Sequence, residues 1–322
     1  MLRLAISYEN RLGRNDGNPL YVFSALKRRQ ERGELEIDHV IPDPLAKLDL
    51  LGKYDMWLSV DWGEDGLTGL LPYKPVYPPG KPLVYWASDT HIANGQPGDS
   101  YPYRLACAKQ ADIVFVAQKQ AVEMMKRDGI ANPIWLPHAV ETIAYCDIDS
   151  VQYDKGCYTP IGEPKPYDFL TKKYDVCFVG HVNSGNRVDF LDRMFKEFPN
   201  FFFGQRLFNE AAEIYAKSKI VLNIAMTDDI NMRCFEVLGS KSFLLTNWLP
   251  TIEELGFKDG VNCALYRTLD EAVEKAKFYM EHDGERERIT QAGYEFVLAN
   301  HTIDHRVSII LEEIKKLSLV TA

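Results

Sequence analysis

Several absences bound this chain before any motif is read. Six cysteines occur in 322 residues (Cys107, Cys146, Cys157, Cys177, Cys234 and Cys263), and no two have close paired spacing. That excludes a disulfide framework and a zinc pattern, and it predicts reduced, packed thiols of a cytoplasmic protein. No run of about 18 apolar residues occurs, so no transmembrane segment is expected. The opening MLRLAISYEN has the length of a short strand, without the apolar core of a signal peptide. Net positive charge is missing as well. The formal charge of -9 makes nucleic acid an improbable general partner, while leaving room for a local basic groove. No Asp-x-Asp pair lies at a strand end with metal-ligand spacing, and the adjacent Asp228 and Asp229 would point apart. Chemistry without a metal or cofactor is therefore expected. There is no low-complexity tract and no repeat beyond two similar halves.

What is present is an alternation of strands and helices. Leu2 to Ser7, Ile37 to Ile41, Asp55 to Val60, Leu83 to Trp86, Ile113 to Val116 and Ile134 to Leu136 read as strands, with a helix over Leu20 to Arg32. From about Ala139 to Lys173 periodicity weakens and prolines cluster at Pro160, Pro164 and Pro166, the marks of a linker. Tyr174 to Val179 restarts the pattern. Phe201 to Phe203, Ile220 to Ile224, Phe243 to Leu245 and Val261 to Leu265 are strands. Arg187 to Phe198, Asn209 to Ala216, Leu269 to Glu281, Glu285 to Leu298 and Thr302 to Leu317 are helices. The fold class is α/β, with two Rossmann-like, doubly wound domains facing across a cleft. The first spans 1–140, a linker 141–173, and the second 174–301; the closing helix, 302–322, is expected to pack back on the first.

The stretch around which the second half is organised is Val221 to Asn247. An apolar strand (Val221, Leu222, Ile224) feeds turn and cap residues at Thr227, Asp228, Asp229 and Asn231. A helix follows, with Gly239 at its end, and then the strand Phe243 to Leu245. A loop that leads from a strand into a helix N-terminus is a ready anion site, because unpaired N–H groups and the helix dipole point at it. Arg233 on the first turn adds a fixed positive charge, and Glu236 stands one turn on. Arg and Glu at such positions are ordinarily solvated surface charges; the surrounding pattern argues for more.

Other loops after strands carry candidates. Gly17 lies in the Gly13–Gly17 loop. Gly180 and Gly185 let backbone approach a ligand closely, beside His181 and ahead of Arg187. His91 follows a strand end next to Asp89 and can hold or take a proton near neutral pH. The alternative for His91 is a loop-pinning role, and for Asp89 a helix-capping one. Trp62 and Trp86, beside strand ends, could stack on a sugar. His138, His301 and His305 read as structural.

The run Met232-Arg233-Cys234-Phe235-Glu236, a glycine-containing turn and Phe243 to Thr246 resemble the donor-binding segment of two-domain GT-B glycosyltransferases. The resemblance is to the spore-maturation, CgeB-like branch of the group 1 type. It covers the chain well from Tyr174 onward and rests on weaker marks before it: residues 13–17, Ser88 to His91, and Leu136 to Val140. It implies a hexosyltransferase-like enzyme. Such an enzyme moves a sugar from a nucleotide-activated donor, UDP-linked by likeness, to a glycan, protein or small-molecule acceptor with retention. The resemblance gives Glu236 the ribose hydroxyls. It gives His91 of the first domain, with Asp89, the catalytic side of the donor sugar. Gly17, Gly180, His181, Arg187, Asp228, Asn231 and Arg233 are the remaining donor-side residues. The position of the first of the family's two glutamates is Asp228 here. That departure keeps open a catalytically degenerate structural protein of the spore-coat type, and the shared two-domain architecture keeps open a sugar-nucleotide epimerase.

Overall fold

The computed structural model describes residues 1–7, 18–40, 52–60, 80–88, 90, 92–142, 151–154, 157–160, 171–182, 185–206 and 208–320. The chain divides into two compact units. One comprises Met1–His138 with Lys155–Cys157 and Asp304–Ala322; the other comprises Ala139–Asp154 and Tyr158–Ile303.

The first unit holds six parallel strands: β1 (Leu2–Ser7), β2 (Leu35–His39), β3 (Met56–Val60), β4 (Leu83–Ala87), β5 (Ile113–Val116) and β6 (Ile134–Trp135). Their spatial order is β2-β1-β3-β4-β5-β6. β3 and β4 are buried along their whole length, as expected of strands covered on both faces. Helices α1 (Asn18–Glu31), α2 (Tyr101–Ala108) and α3 (Lys119–Arg127) belong to this unit. One face of the sheet packs Tyr85, Ala87, Val114 and Val116 against Tyr101, Cys107, Met124 and Met125.

The last helix, α9 (Ile303–Val320), joins this unit from residue 304. Val307, Ile310 and Ile314 recur at helical spacing and are fully buried. Arg28 pairs with Asp304 at 2.6 Å, and Arg29 donates to Ser308 at 2.6 Å. Arg306, buried, donates to the carbonyls of Pro137 and His138 at 2.7 and 3.0 Å, and its burial pushes the guanidinium down to about 10.

The second unit has five parallel strands: β9 (Tyr174–Val179), β10 (Phe201–Gly204), β11 (Ser218–Asn223), β12 (Leu244–Asn247) and β13 (Ala264–Tyr266). They lie in the order β10-β9-β11-β12-β13. Helices α4 (Gly185–Glu197), α5 (Phe208–Ala216), α6 (Met232–Gly239), α7 (Leu269–Glu281) and α8 (Asp283–Asn300) accompany them. Val176, Ile220, Leu222, Leu245 and Ala264 pack with Met194 of α4 and with Val273 and Ala276 of α7. Within the stretch read as a linker, β7 (Val151–Asp154) and β8 (Cys157–Pro160) form a two-stranded sheet.

Two local expectations are corrected. The strand expected over Val261 to Leu265 begins only at Ala264. The Asn262 side chain accepts from Lys258 N at 2.7 Å and donates to Gly256 O at 2.9 Å, so it builds a turn where a strand would otherwise start. Gly239 ends α6 for a packing reason. A Cβ there would stand 2.7 Å from Val140 Cγ2, while the positive φ (52°) that follows the helix falls on Lys241.

Candidate functional site

In both sheets the strand order reverses beside the first strand, between β1 and β3 and between β9 and β11. Ligands of open α/β sheets bind outside the carboxyl ends of the strands at such a reversal. In the second unit the residues there are Gly180 and His181 after β9, Asn223 and Ile224 at the end of β11, and the start of α6.

Arg187, near the start of α4, is 5% exposed. It donates to His181 O at 2.7 Å and to Ile224 O, so it ties the two strand ends together across the reversal. Its Nε is buried and makes no hydrogen bond. Burial, with Arg233 nearby, pushes this guanidinium down to about 10. Arg233 is half-buried, and its Nη1 donates to Asn223 Oδ1 at 2.7 Å. Both guanidiniums lie by the ring of Phe178, at 5.3 Å for Arg187 and 4.8 Å for Arg233. Neither forms an ion pair among the described residues. Two cations with no carboxylate partner among the described residues, one of them desolvated, make an electrostatic demand that an anion would meet.

Gly180 gives Arg233 its place. A Cβ at residue 180 would stand 2.3 Å from Arg233 Nη2, and φ there is 157°. The glycine, expected to let backbone approach a ligand closely, also leaves the space that the guanidinium occupies.

Asn223 is the residue sequence reasoning missed. It is fully buried and accepts from Asn231 Nδ2 at 3.1 Å as well as from Arg233. It donates to Thr246 Oγ1 at 2.9 Å and to Cys234 Sγ at 3.3 Å, and its carbonyl accepts from Tyr266 Oη at 2.7 Å. The available signal was an asparagine closing an otherwise apolar strand, VLN. Asn231 was expected to cap the helix with its side chain. It stands at the N-cap position with no such bond, because its amide is turned onto Asn223. The first N–H groups of α6 therefore lack that cap.

Glu236 is half-buried, one turn along α6, and contributes to raising the pKa values of buried Tyr215 and Cys234. Burial itself pushes the thiols of Cys177 and Cys234 up to about 12, so both are inert packing groups. Asp228 is half-buried, Asp229 is buried, and the His181 side chain is exposed. Thus Gly180, Arg187, Asn231 and Arg233 come together around Asn223 and Phe178, with Glu236 further along the same helix.

Gly17, Asp89 and His91 lie outside the described residues, as does Trp62. The residues flanking His91 are described. Thr90 Oγ1 donates to Gln118 Oε1 at 2.5 Å, Ile92 N donates to the same oxygen at 2.9 Å, and Gln118 Nε2 donates to Ile92 O at 3.1 Å. Trp86 is fully buried with its Nε1 on Leu136 O at 3.1 Å, so it offers no face to a sugar. His301 packs among Phe235, Phe257 and Phe296. Among the described residues no group of three or more His, Cys, Asp or Glu is placed to hold a metal ion. No helix among them is long and apolar enough to cross a membrane.

Residues 176–312, which contain this site, match the sequence model of a family described as glycosyl transferase-like. Curated protein sequences give no significant match. Similar solved structures span nearly the whole chain. HepE of Anabaena in complex with UDP is 11% identical, with 98% of this chain and 100% of that one covered and a TM-score of 0.61. An alpha-glucosyltransferase in complex with UDP-glucose and DNA containing an abasic site is 11% identical, with 98% and 99% covered and a TM-score of 0.64. Sucrose-phosphate synthase of Thermosynechococcus elongatus is 10% identical, with 99% and 100% covered and a TM-score of 0.59. At such identities the likeness is one of fold. The chain has two parallel-sheet, Rossmann-like units, and its structural neighbours are GT-B proteins.

Proposed function

We propose that this protein is a glycosyltransferase that takes a sugar from a nucleoside diphosphate donor, UDP-linked, and passes it to an acceptor with retention at the anomeric carbon. The observation that carries the reading is the pair of guanidiniums, Arg187 and Arg233, without carboxylate partners among the described residues, at the strand reversal of the glycosyl transferase-like unit. Breaking the sugar–phosphate bond builds negative charge on the departing diphosphate and positive charge on the ring. Preorganised cations answer the first need without a metal. Arg233 and the open start of α6 hold the diphosphate, Arg187 adds its charge from behind, and Glu236 takes the ribose hydroxyls. His91 supports the developing charge on the sugar. HepE and the alpha-glucosyltransferase, solved in complex with UDP and UDP-glucose respectively, support a UDP-linked donor.

The acceptor is proposed only as a class, a hydroxyl-bearing glycan, protein or small molecule. A thermal-shift panel of nucleotides and nucleotide sugars tests the reading, since a ligand bound only by the folded state raises the melting temperature by mass action. UDP and one UDP-sugar should shift it, and UDP release from that sugar should follow on adding acceptor. A panel in which no nucleoside diphosphate shifts the transition would overturn it. Binding without turnover would favour the degenerate reading that Asp228 keeps open.

A further inference from the structure

Asn223 occupies a position that the donor-binding reading leaves without a role. It is the last residue of β11, 0% exposed, and all of its side-chain capacity is engaged. The direction of its amide follows from chemistry. A guanidinium can only donate, so the atom 2.7 Å from Arg233 Nη1 must be Oδ1. That leaves Nδ2 to face Thr246 Oγ1 at 2.9 Å and Cys234 Sγ at 3.3 Å. The same Oδ1 takes Asn231 Nδ2 at 3.1 Å. Tyr266 Oη, from β13, fixes the backbone carbonyl at 2.7 Å. The amide is thus locked by β12 and the start of α6, and the backbone that carries it by the end of β13. A buried polar network with all its members paired is rigid.

The rigid amide has one long, charged side chain attached to it. An arginine on a first helical turn samples many rotamers, and ordering it on a ligand weakens binding. Here the order is present beforehand, from three directions: Asn223 Oδ1, the Phe178 ring and the space above Gly180.

We propose that Asn223 is a positioning residue for diphosphate recognition: it preorganises Arg233 at the carboxyl end of β11. The inference rests on the reading that Arg233 meets the donor diphosphate. Asn223 itself touches no substrate. Its effect on the ligand passes through Arg233, so the two residues are not additive.

The test is a double-mutant cycle read by calorimetric titration with UDP. Asn223→Ala should weaken UDP about tenfold or more in the wild-type background. In an Arg233→Ala background the same substitution should change the dissociation constant less than about twofold, because nothing remains to be positioned. A purely structural asparagine would cost the same in both backgrounds, and that equality would overturn the proposal.

If Asn223→Ala does not fold, Asn223→Asp carries the test. It keeps both acceptor contacts, and the Thr246 hydroxyl can donate to the second oxygen, so the melting temperature of the ligand-free protein should hold within a few degrees. Its carboxylate neutralises the guanidinium, and UDP should again weaken about tenfold or more. Unchanged UDP affinity in a folded Asn223→Asp protein would overturn the positioning role while leaving the transferase reading intact. A wild-type protein that binds no UDP would overturn that reading, and the positioning role with it.

Discussion

Replacing Gly180 by alanine isolates one contact. The new methyl carbon would stand 2.3 Å from Arg233 Nη2 and 3.4 Å from Phe178 Cε1, at a backbone φ of 157°. The aromatic ring is buried in the sheet, whereas the guanidinium is the far end of a long side chain, so the guanidinium must give way. Moving it by about an ångström or more breaks its 2.7 Å bond to Asn223 Oδ1 and loosens its stacking on Phe178. A hydrogen bond with a charged partner contributes about 1.5–3 kcal/mol, and a partly desolvated cation–π contact about 0.5–2 kcal/mol. Diphosphate binding depends on the guanidinium being in place, so most of the hydrogen-bond term should appear in UDP affinity. At about 1.4 kcal/mol per factor of ten, this is a loss of about 10- to 100-fold. Calorimetry gives the dissociation constant, and thermal unfolding of the ligand-free protein gives the fold cost, expected at about 1–3 kcal/mol. A Gly180→Ala protein that binds UDP within twofold of wild type would refute the reasoning, for it would show that Arg233 serves the ligand equally well from elsewhere.

Three further outcomes are expected. Glu236→Gln should weaken nucleotide binding by about 1.5–3 kcal/mol if its carboxylate accepts the ribose hydroxyls; an unchanged nucleotide dissociation constant would remove it from the site. His91→Ala should slow transfer about 10²-fold or more with nucleotide affinity nearly unchanged. Gln118→Ala, which releases both neighbours of His91, should lower turnover in the same direction; full activity in either variant would detach that segment from the chemistry. Transfer should continue in the presence of a chelator, and loss restored by manganese or magnesium would contradict charge compensation by arginine alone.

Much of this fold was legible because periodicity carries it. The apolar runs at Leu83 to Trp86 and Val176 to Val179 announce strands buried on both faces. Leu269 to Glu281 was readable to the residue, since Thr268 accepts from Glu271 N at 3.2 Å and fixes the helix start. Strand order was not legible. It depends on which edge each crossover returns to, and no local pattern records that choice, so the reversal between β9 and β11 emerges only from pairing.

The candidate site was legible in its residue types and illegible in its connections. Gly180, Arg187, Asn231 and Arg233 could be picked out singly. Asn223 could not, because a polar residue closing a buried strand reads as a strand end until its partners are known. Asn231 illustrates the same limit. Its residue type predicts a cap, and a stronger partner, a buried amide oxygen, takes its side chain instead. Trp86 was judged from its position beside a strand end, which says nothing of the helix or loop that covers it. The case for His91 rests on its sequence neighbours, of which Thr90 and Ile92 are held by Gln118.

The central claim, that a nucleoside diphosphate sits on Arg233 at the strand reversal, is tested most directly by a crystal structure of the protein with UDP. The account predicts diphosphate oxygens within hydrogen-bonding distance of the Arg233 guanidinium, with the ribose hydroxyls on Glu236. UDP bound elsewhere on the chain, with Arg233 still held on Asn223 and touching no phosphate, would contradict it.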